Sequence, residues 1–189
     1  MKKIVLIIAV IIAPVMSYGQ SLFDKYEDLD EVTSVVVNQK MFNMLSQIEI
    51  KTDDTEFNDY NKMVSNLKSL KVLTTGNAAT AIKMKADVEK YLRSSNLEEL
   101  MRIKDGEQTV NFYVKEGKDD NHVKELLMFV YGLKEMSKNE NIVINGKQRE
   151  IETVILSLTG DIDLRQVSKL TSKMNVPGGK HLEKAGDKN

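Results

Sequence analysis

The stretch Met101-Arg102-Ile103-Lys104-Asp105-Gly106-Glu107-Gln108-Thr109-Val110-Asn111-Phe112-Tyr113-Val114-Lys115 alternates apolar and polar residues on either side of an Asp-Gly pair. Period-two alternation sends successive side chains to opposite faces of a strand. An Asp-Gly pair between two such runs signals a tight hairpin turn. The segment therefore predicts a β-hairpin: Met101 and Ile103 lead in, and Val110, Phe112 and Val114 return along one buried face. A polar turn over residues 116–121 leads to Leu126-Leu127-Met128-Phe129-Val130-Tyr131, apolar at consecutive positions, which predicts an interior strand. A sheet built from hairpins is largely antiparallel.

Working outward, three segments share another logic of strand, small polar turn and helix: residues 32–38, 72–77 and 155–163. The first is the β-branched run Val32-Thr33-Ser34-Val35-Val36-Val37, then Asn38 as a helix cap. Met41, Met44, Leu45 and Ile48 follow at helical spacing and predict a core-facing stripe. Residues 49–60, with Asp53, Asp54, Glu56 and Asp59, read as an acidic polar connection. A strand over 70–75 is broken by Gly76 and Asn77. A helix over 78–94 carries Ala81, Met84, Val88, Tyr91 and Leu92 as its apolar line. After a strand over 153–159, Gly160-Asp161 reads as a turn, and Asp163 with Gln166 forms a capping box for a helix from Leu164. Val167, Leu170 and Met174 continue its apolar side. Asn145-Gly146 predicts a further short hairpin. Near the start, Ser21 and Asp24 fit a capping box opening a short helix with Phe23 and Tyr26 as its apolar side. Together these predict an α+β fold: a mixed, largely antiparallel sheet with helices packed mainly on one face, built from βα units plus β-hairpins.

The chain ends carry different information. Lys2 and Lys3 precede the apolar run from Ile4 to Ala13, and Ser17 and Gly19 supply small residues before a cut. That is the pattern of a secretory signal peptide. The run is shorter than the roughly 20 apolar residues a membrane-spanning helix needs, and Pro14 interrupts it. The expected division is a cleaved leader over 1–19, one domain over 20–176 and a flexible tail over 177–189, with the periplasm as destination. Losing Lys2 and Lys3 takes 27 basic residues to 25 against 28 acidic ones, about −3. So small a net charge gives no electrostatic footprint for nucleic acid. The chain contains no cysteine, which excludes disulfides, thiol catalysis, thiolate metal sites and a Cys-anchored lipoprotein.

Several phrases resemble a family of exported proteins of Bacteroidota, domain-of-unknown-function family 4252. They are residues 23–26, Val32-Thr33-Ser34-Val35, Met41-Phe42, Glu99-Leu100-Met101 and Glu125-Leu126-Leu127. The most distinctive is Leu156-Ser157-Leu158-Thr159-Gly160-Asp161-Ile162-Asp163-Leu164. The likeness runs over residues 22–172 and implies location and fold; it brings no established activity. Many members look like lipoproteins, so the missing cysteine implies a soluble periplasmic form here.

No catalytic set assembles in the sequence. The histidines are His122, beside a hairpin turn, and His181, in the expected tail, and no Gly-x-Ser-x-Gly elbow is present. Asp161 and Asp163 are the carboxylate pair best placed for glycoside hydrolysis, but turn shaping and capping explain both. Asp119, Asp120, Asn121 and His122 lack EF-hand spacing. Met41 and Met44, the soft-ligand candidates for copper, sit on a predicted core face. If the three βα strands run parallel, Asn38, Thr75, Asn77, Thr159, Asp161 and Asp163 gather at one sheet edge and could meet a neutral or cationic partner such as a peptide. The expected function is non-catalytic binding of an envelope protein or peptide in the periplasm, with a role in envelope signalling or stress and no cofactor or metal. The alternatives are a small-ligand carrier and a hydrolase using Asp161 and Asp163.

Overall fold

A computed structural model describes residues 21–47, 55–134, 143–144, 147–148 and 150–167. The leader over 1–19, the tail over 177–189 with His181, and Ile48, Asp53, Asp54, Leu170 and Met174 lie outside the described residues. The helices are α1 (Ser21–Asp24), α2 (Gln39–Ser46), α3 (Thr55–Ser65) and α4 (Ala78–Ser94), followed by a helical turn over 164–167. The strands are β1 (Val32–Asn38), β2 (Leu67–Thr75), β3 (Glu98–Asp105), β4 (Gln108–Glu116), β5 (His122–Tyr131), β6 (Val143–Ile144), β7 (Lys147–Gln148) and β8 (Thr153–Asp163).

Six strands form one sheet in the order β1-β2-β8-β5-β4-β3, and β6 pairs with β7 in a separate two-stranded ladder. Every pairing in the six-stranded sheet is antiparallel. The α+β expectation is met, although the six-stranded sheet has no parallel pair and its helices lie on both faces rather than mainly on one. The two hairpins predicted around Gly106 and between β6 and β7 are present. Gly106 takes a φ of 57° at the first loop position between Asp105 and Gln108. A side chain rarely adopts that backbone conformation, which is what the Asp-Gly signal encodes.

Alternation along the central strands builds two cores. On β5, Leu127 and Phe129 join Phe23, Tyr26, Val32, Leu73, Met84, Val88, Tyr91 and Ile155. Their neighbours Leu126 and Met128 meet Phe42, Val64, Leu67, Phe112, Val114 and Ile162 on the opposite face. The first face carries α4, whose predicted stripe Ala81, Met84, Val88 and Tyr91 is buried. It also carries α1: Phe23 packs edge-to-face on Tyr91 with ring centroids 5.6 Å apart, and the Tyr26 hydroxyl donates to Asp87 at 2.5 Å. Lys71, on β2 of the same face, is neutralised by Asp24 and Glu27. The second face carries α2, α3 and the turn over 164–167, with Leu164 and Val167 packed beside its core.

Three expectations need correction. The acidic connection over 49–60 gives way to α3 from Thr55; carboxylates suit the positive end of a helix, and Met63 and Val64 are buried in its last turns. On α2 the stripe Met41, Met44 and Leu45 does not face the core. Phe42 does, at 6% exposure. Apolar residues occupy 41, 42, 44 and 45 and so cover most of one turn; the ring, the largest group, takes the core position. Finally, Gly160-Asp161 is no turn: β8 runs unbroken to Asp163. Gly160, with φ 145°, faces a bulge in β2 where a Cβ would stand 2.5 Å from the Asn66 carbonyl oxygen. The glycine is there for close backbone approach.

Candidate functional site

The predicted edge cluster divides between the two ends of the sheet. Asn38 ends β1 opposite Ser69, and Ser69 lies opposite Thr159. Asn38, Thr159, Asp161 and Asp163 therefore share one end. β2 runs the other way, so Thr75 and the following Asn77 stand at the opposite end, about 20 Å off at the rise of a strand residue. An antiparallel β2 forbids the single edge that parallel strands would have made.

Asn38, Thr75, Asn77, Asp161 and Asp163 each have a structural task. Asn38 Oδ1 accepts the Met41 N–H at 3.1 Å and Asn77 Oδ1 the Thr80 N–H at 3.0 Å, capping α2 and α4. Thr75 donates to the Glu31 carbonyl at 2.8 Å and accepts the Asn77 N–H at 3.1 Å. Asp163 accepts the Arg165 N–H at 3.0 Å and holds the Arg165 guanidinium at 3.0 and 2.8 Å. Asp161 accepts from Lys118 at 2.7 Å. His122 Nδ1 lies 2.7 Å from Asp119, and its Nε2 lies 4.0 Å from Asp163. The Arg165 hydrogen bonds hold the Asp163 carboxyl below the usual range, and the His122 hydrogen bond does the same for Asp119. Of the pair expected for hydrolysis, Asp163 is kept ionised in this way and is poorly suited to be the member that donates a proton. Among the described residues no group of three or more His, Asp or Glu side chains is disposed to hold a metal ion.

Sequence reasoning missed the most buried polar contact. Glu125, 9% exposed, points under α4, where the Tyr91 hydroxyl lies 2.9 and 2.8 Å from its two carboxylate oxygens. Burial pushes the Glu125 carboxyl above its ordinary value, against the opposing pull of the Tyr91 hydrogen bond and of Lys115. Burial likewise raises the Tyr91 hydroxyl. The signal was a glutamate at the head of an apolar strand and a tyrosine on an apolar helix line. Only the fold brings the two together.

The chemistry of the surface concentrates elsewhere, on β1 and α2. Val35, Val36, Met41, Met44 and Leu45 are 50%, 49%, 45%, 57% and 37% exposed within eleven residues. β1 is the outermost strand and carries no charge along its seven residues. The backbone direction follows from its neighbours. The Thr75 carbonyl accepts the Glu152 N–H at 2.8 Å, so Thr75 directs its backbone away from β1. Val32, opposite Thr75, bonds its own N–H to the Leu29 carbonyl at 2.9 Å. By alternation, Ser34 and Val36 turn their N–H and C=O groups outward, and no described strand lies beyond them.

A family model described as a domain of unknown function, DUF4252, matches residues 26–170, well over half of the chain. No curated protein and no solved structure matches it.

Proposed function

The chain belongs to the DUF4252 family, and from that premise we propose that it is an exported, non-catalytic interaction module of the periplasm that binds an envelope protein or peptide. The observation carrying this reading is the apolar surface of β1 and α2: six of the eight large exposed apolar side chains among the described residues fall between Leu29 and Leu45. Apolar groups gathered in this way mark interaction sites, and an uncharged outer strand offers main-chain hydrogen bonds to an added strand. The polar groups, by contrast, are occupied with capping and ion pairs. The leader pattern of Lys2, Lys3 and the run from Ile4 to Ala13 supports export, and the lack of cysteine supports a form without a lipid anchor.

The test is affinity purification after chemical cross-linking in intact cells, joined to fractionation and N-terminal sequencing. Recovery from the periplasm with Gln20 as first residue, and of an envelope protein cross-linked through β1 or α2, is the expected result. Retention in the cytosol with residues 1–19 attached would overturn the export half. A small molecule found in the purified protein by native mass spectrometry, with no cross-linked protein, would replace the binding half by the carrier reading.

A further inference from the structure

Resting on the interaction-module reading, we infer that the strand added to β1 is β1 of a second copy, in an antiparallel pair about a two-fold axis at Val35. The outward backbone groups of β1 belong to Ser34 and Val36, with Val32 and Asn38 at the ends. Antiparallel hydrogen-bonded partners must both be outward-facing residues. The register that pairs all seven residues sets Val32 against Asn38 and Ser34 against Val36 of the other copy, and the reverse. Ser34 and Val36 then exchange bonds twice across the axis. Val35 meets its own counterpart in a close, non-hydrogen-bonded pair on one face, while Val36 covers Ser34 on the other. The two most exposed valines of the strand are thus the ones this register buries.

Charge favours the same arrangement. Exposed Asp28 and Asp30 precede β1, and exposed Lys40 and Lys68 stand at its far end. Reversal of the second copy brings acidic start to basic end, and the register places Asp30 toward Lys40. A parallel partner, or a slipped register, loses that match. The ladder alone falls short of the roughly 1,200 Å² of a stable interface, so the association is reversible and depends on concentration.

The absence of cysteine gives a clean probe. In protein expressed from the full-length gene, Val35→Cys should form an interchain disulfide under mild oxidation faster than Ser34→Cys or Val36→Cys. In the proposed register only residue 35 faces itself at the Cβ separation a disulfide requires. Ile82→Cys, exposed on α4, is the background. Sedimentation of the wild type should show a mass rising toward twice that of the monomer with concentration. Val36→Lys should hold it at the monomer, since a charge on an outer strand blocks pairing, and Ile82→Lys should leave it unchanged. A monomer at every concentration, or Val35→Cys linking no faster than Ile82→Cys, overturns the inference. If Val36→Lys in that case still abolishes capture of an envelope protein, the interaction reading survives its loss. If capture is also unaffected, both fall.

Discussion

The two outer strands of the sheet are made differently. β3 carries Glu98, Glu99, Arg102, Lys104 and Asp105 among its eight residues, and Glu99 pairs with Arg102 along the strand. Its ladder to β4 is interrupted between Glu99 and Met101, at Leu100. Charge and a bulge are the ordinary devices by which proteins keep an outer strand from pairing with other chains. β1 has neither: seven uncharged residues in unbroken register with β2 from Val32 to Asn38. One outer strand is closed by these devices; the other lacks them and, in the function proposed above, is the open one.

The comparison holds only if β1 is exposed because it is open, not because it is loosely seated. Leu73, beneath β1 on β2, is fully buried. Leu73→Ala should cost about 3 kcal/mol in urea unfolding, whereas Ile103→Ala, half-buried on β3, should cost about 1 kcal/mol. Equal losses would mean that β1 is no better founded than β3. The middle of the sheet, shared by both sides, gives the next effect. Tyr91→Phe strips the hydroxyl from buried Glu125 and should cost about 2 kcal/mol.

Glu125 also sets a pH dependence. Its carboxyl is raised in the fold, so its contribution is fully present below the ordinary glutamate range and is lost as pH rises through the elevated value. Unfolding followed across the acid-to-neutral range should show a smaller loss in Glu125→Gln and a later one in Tyr91→Phe. Asp163 has the opposite sign: lowered by Arg165, it contributes above its ordinary value, and the contribution is lost as pH falls through the depressed one. Smaller again are the caps. Asn77→Ala and Asn38→Ala should each cost about 1 kcal/mol; a much larger loss for Asn38 would show that β1 depends on α2 to stay in register. Smallest is Arg102→Ala on the closed side, which should leave the urea midpoint unchanged, as expected of an exposed ion pair. It should also leave the oligomeric state unchanged; association appearing there would show that Arg102 is one of the charges guarding β3.

Much of this architecture is written locally. The Asp105-Gly106 turn, the caps Asn38 and Asn77 and the Ala81-Met84-Val88-Tyr91 line depend on neighbours in sequence, and all stand where their patterns put them. What was illegible depends on partners distant in the chain. Nothing near Thr75 says that β2 runs against β1, so residues expected at one edge lie at two. Nothing in Met41-Phe42-Asn43-Met44-Leu45 says which side of α2 meets the core, because four apolar residues offer several choices and only the shape of the second cluster selects Phe42. The candidate surface was hidden for the same reason: the methionines and leucine assigned to the interior are those left outside. Nor does anything in Val32-Thr33-Ser34-Val35-Val36-Val37 say that this strand lies at the edge of the sheet, since strand order decides it.

Gly160 sets a spacing between two strands as well as a backbone angle. With the Asn66 carbonyl filling the place of any Cβ, a mutation there meets backbone that cannot step aside. Even the methyl group of an alanine would have to push β2 off its bulge, so the missing side chain sets how closely these two strands lie.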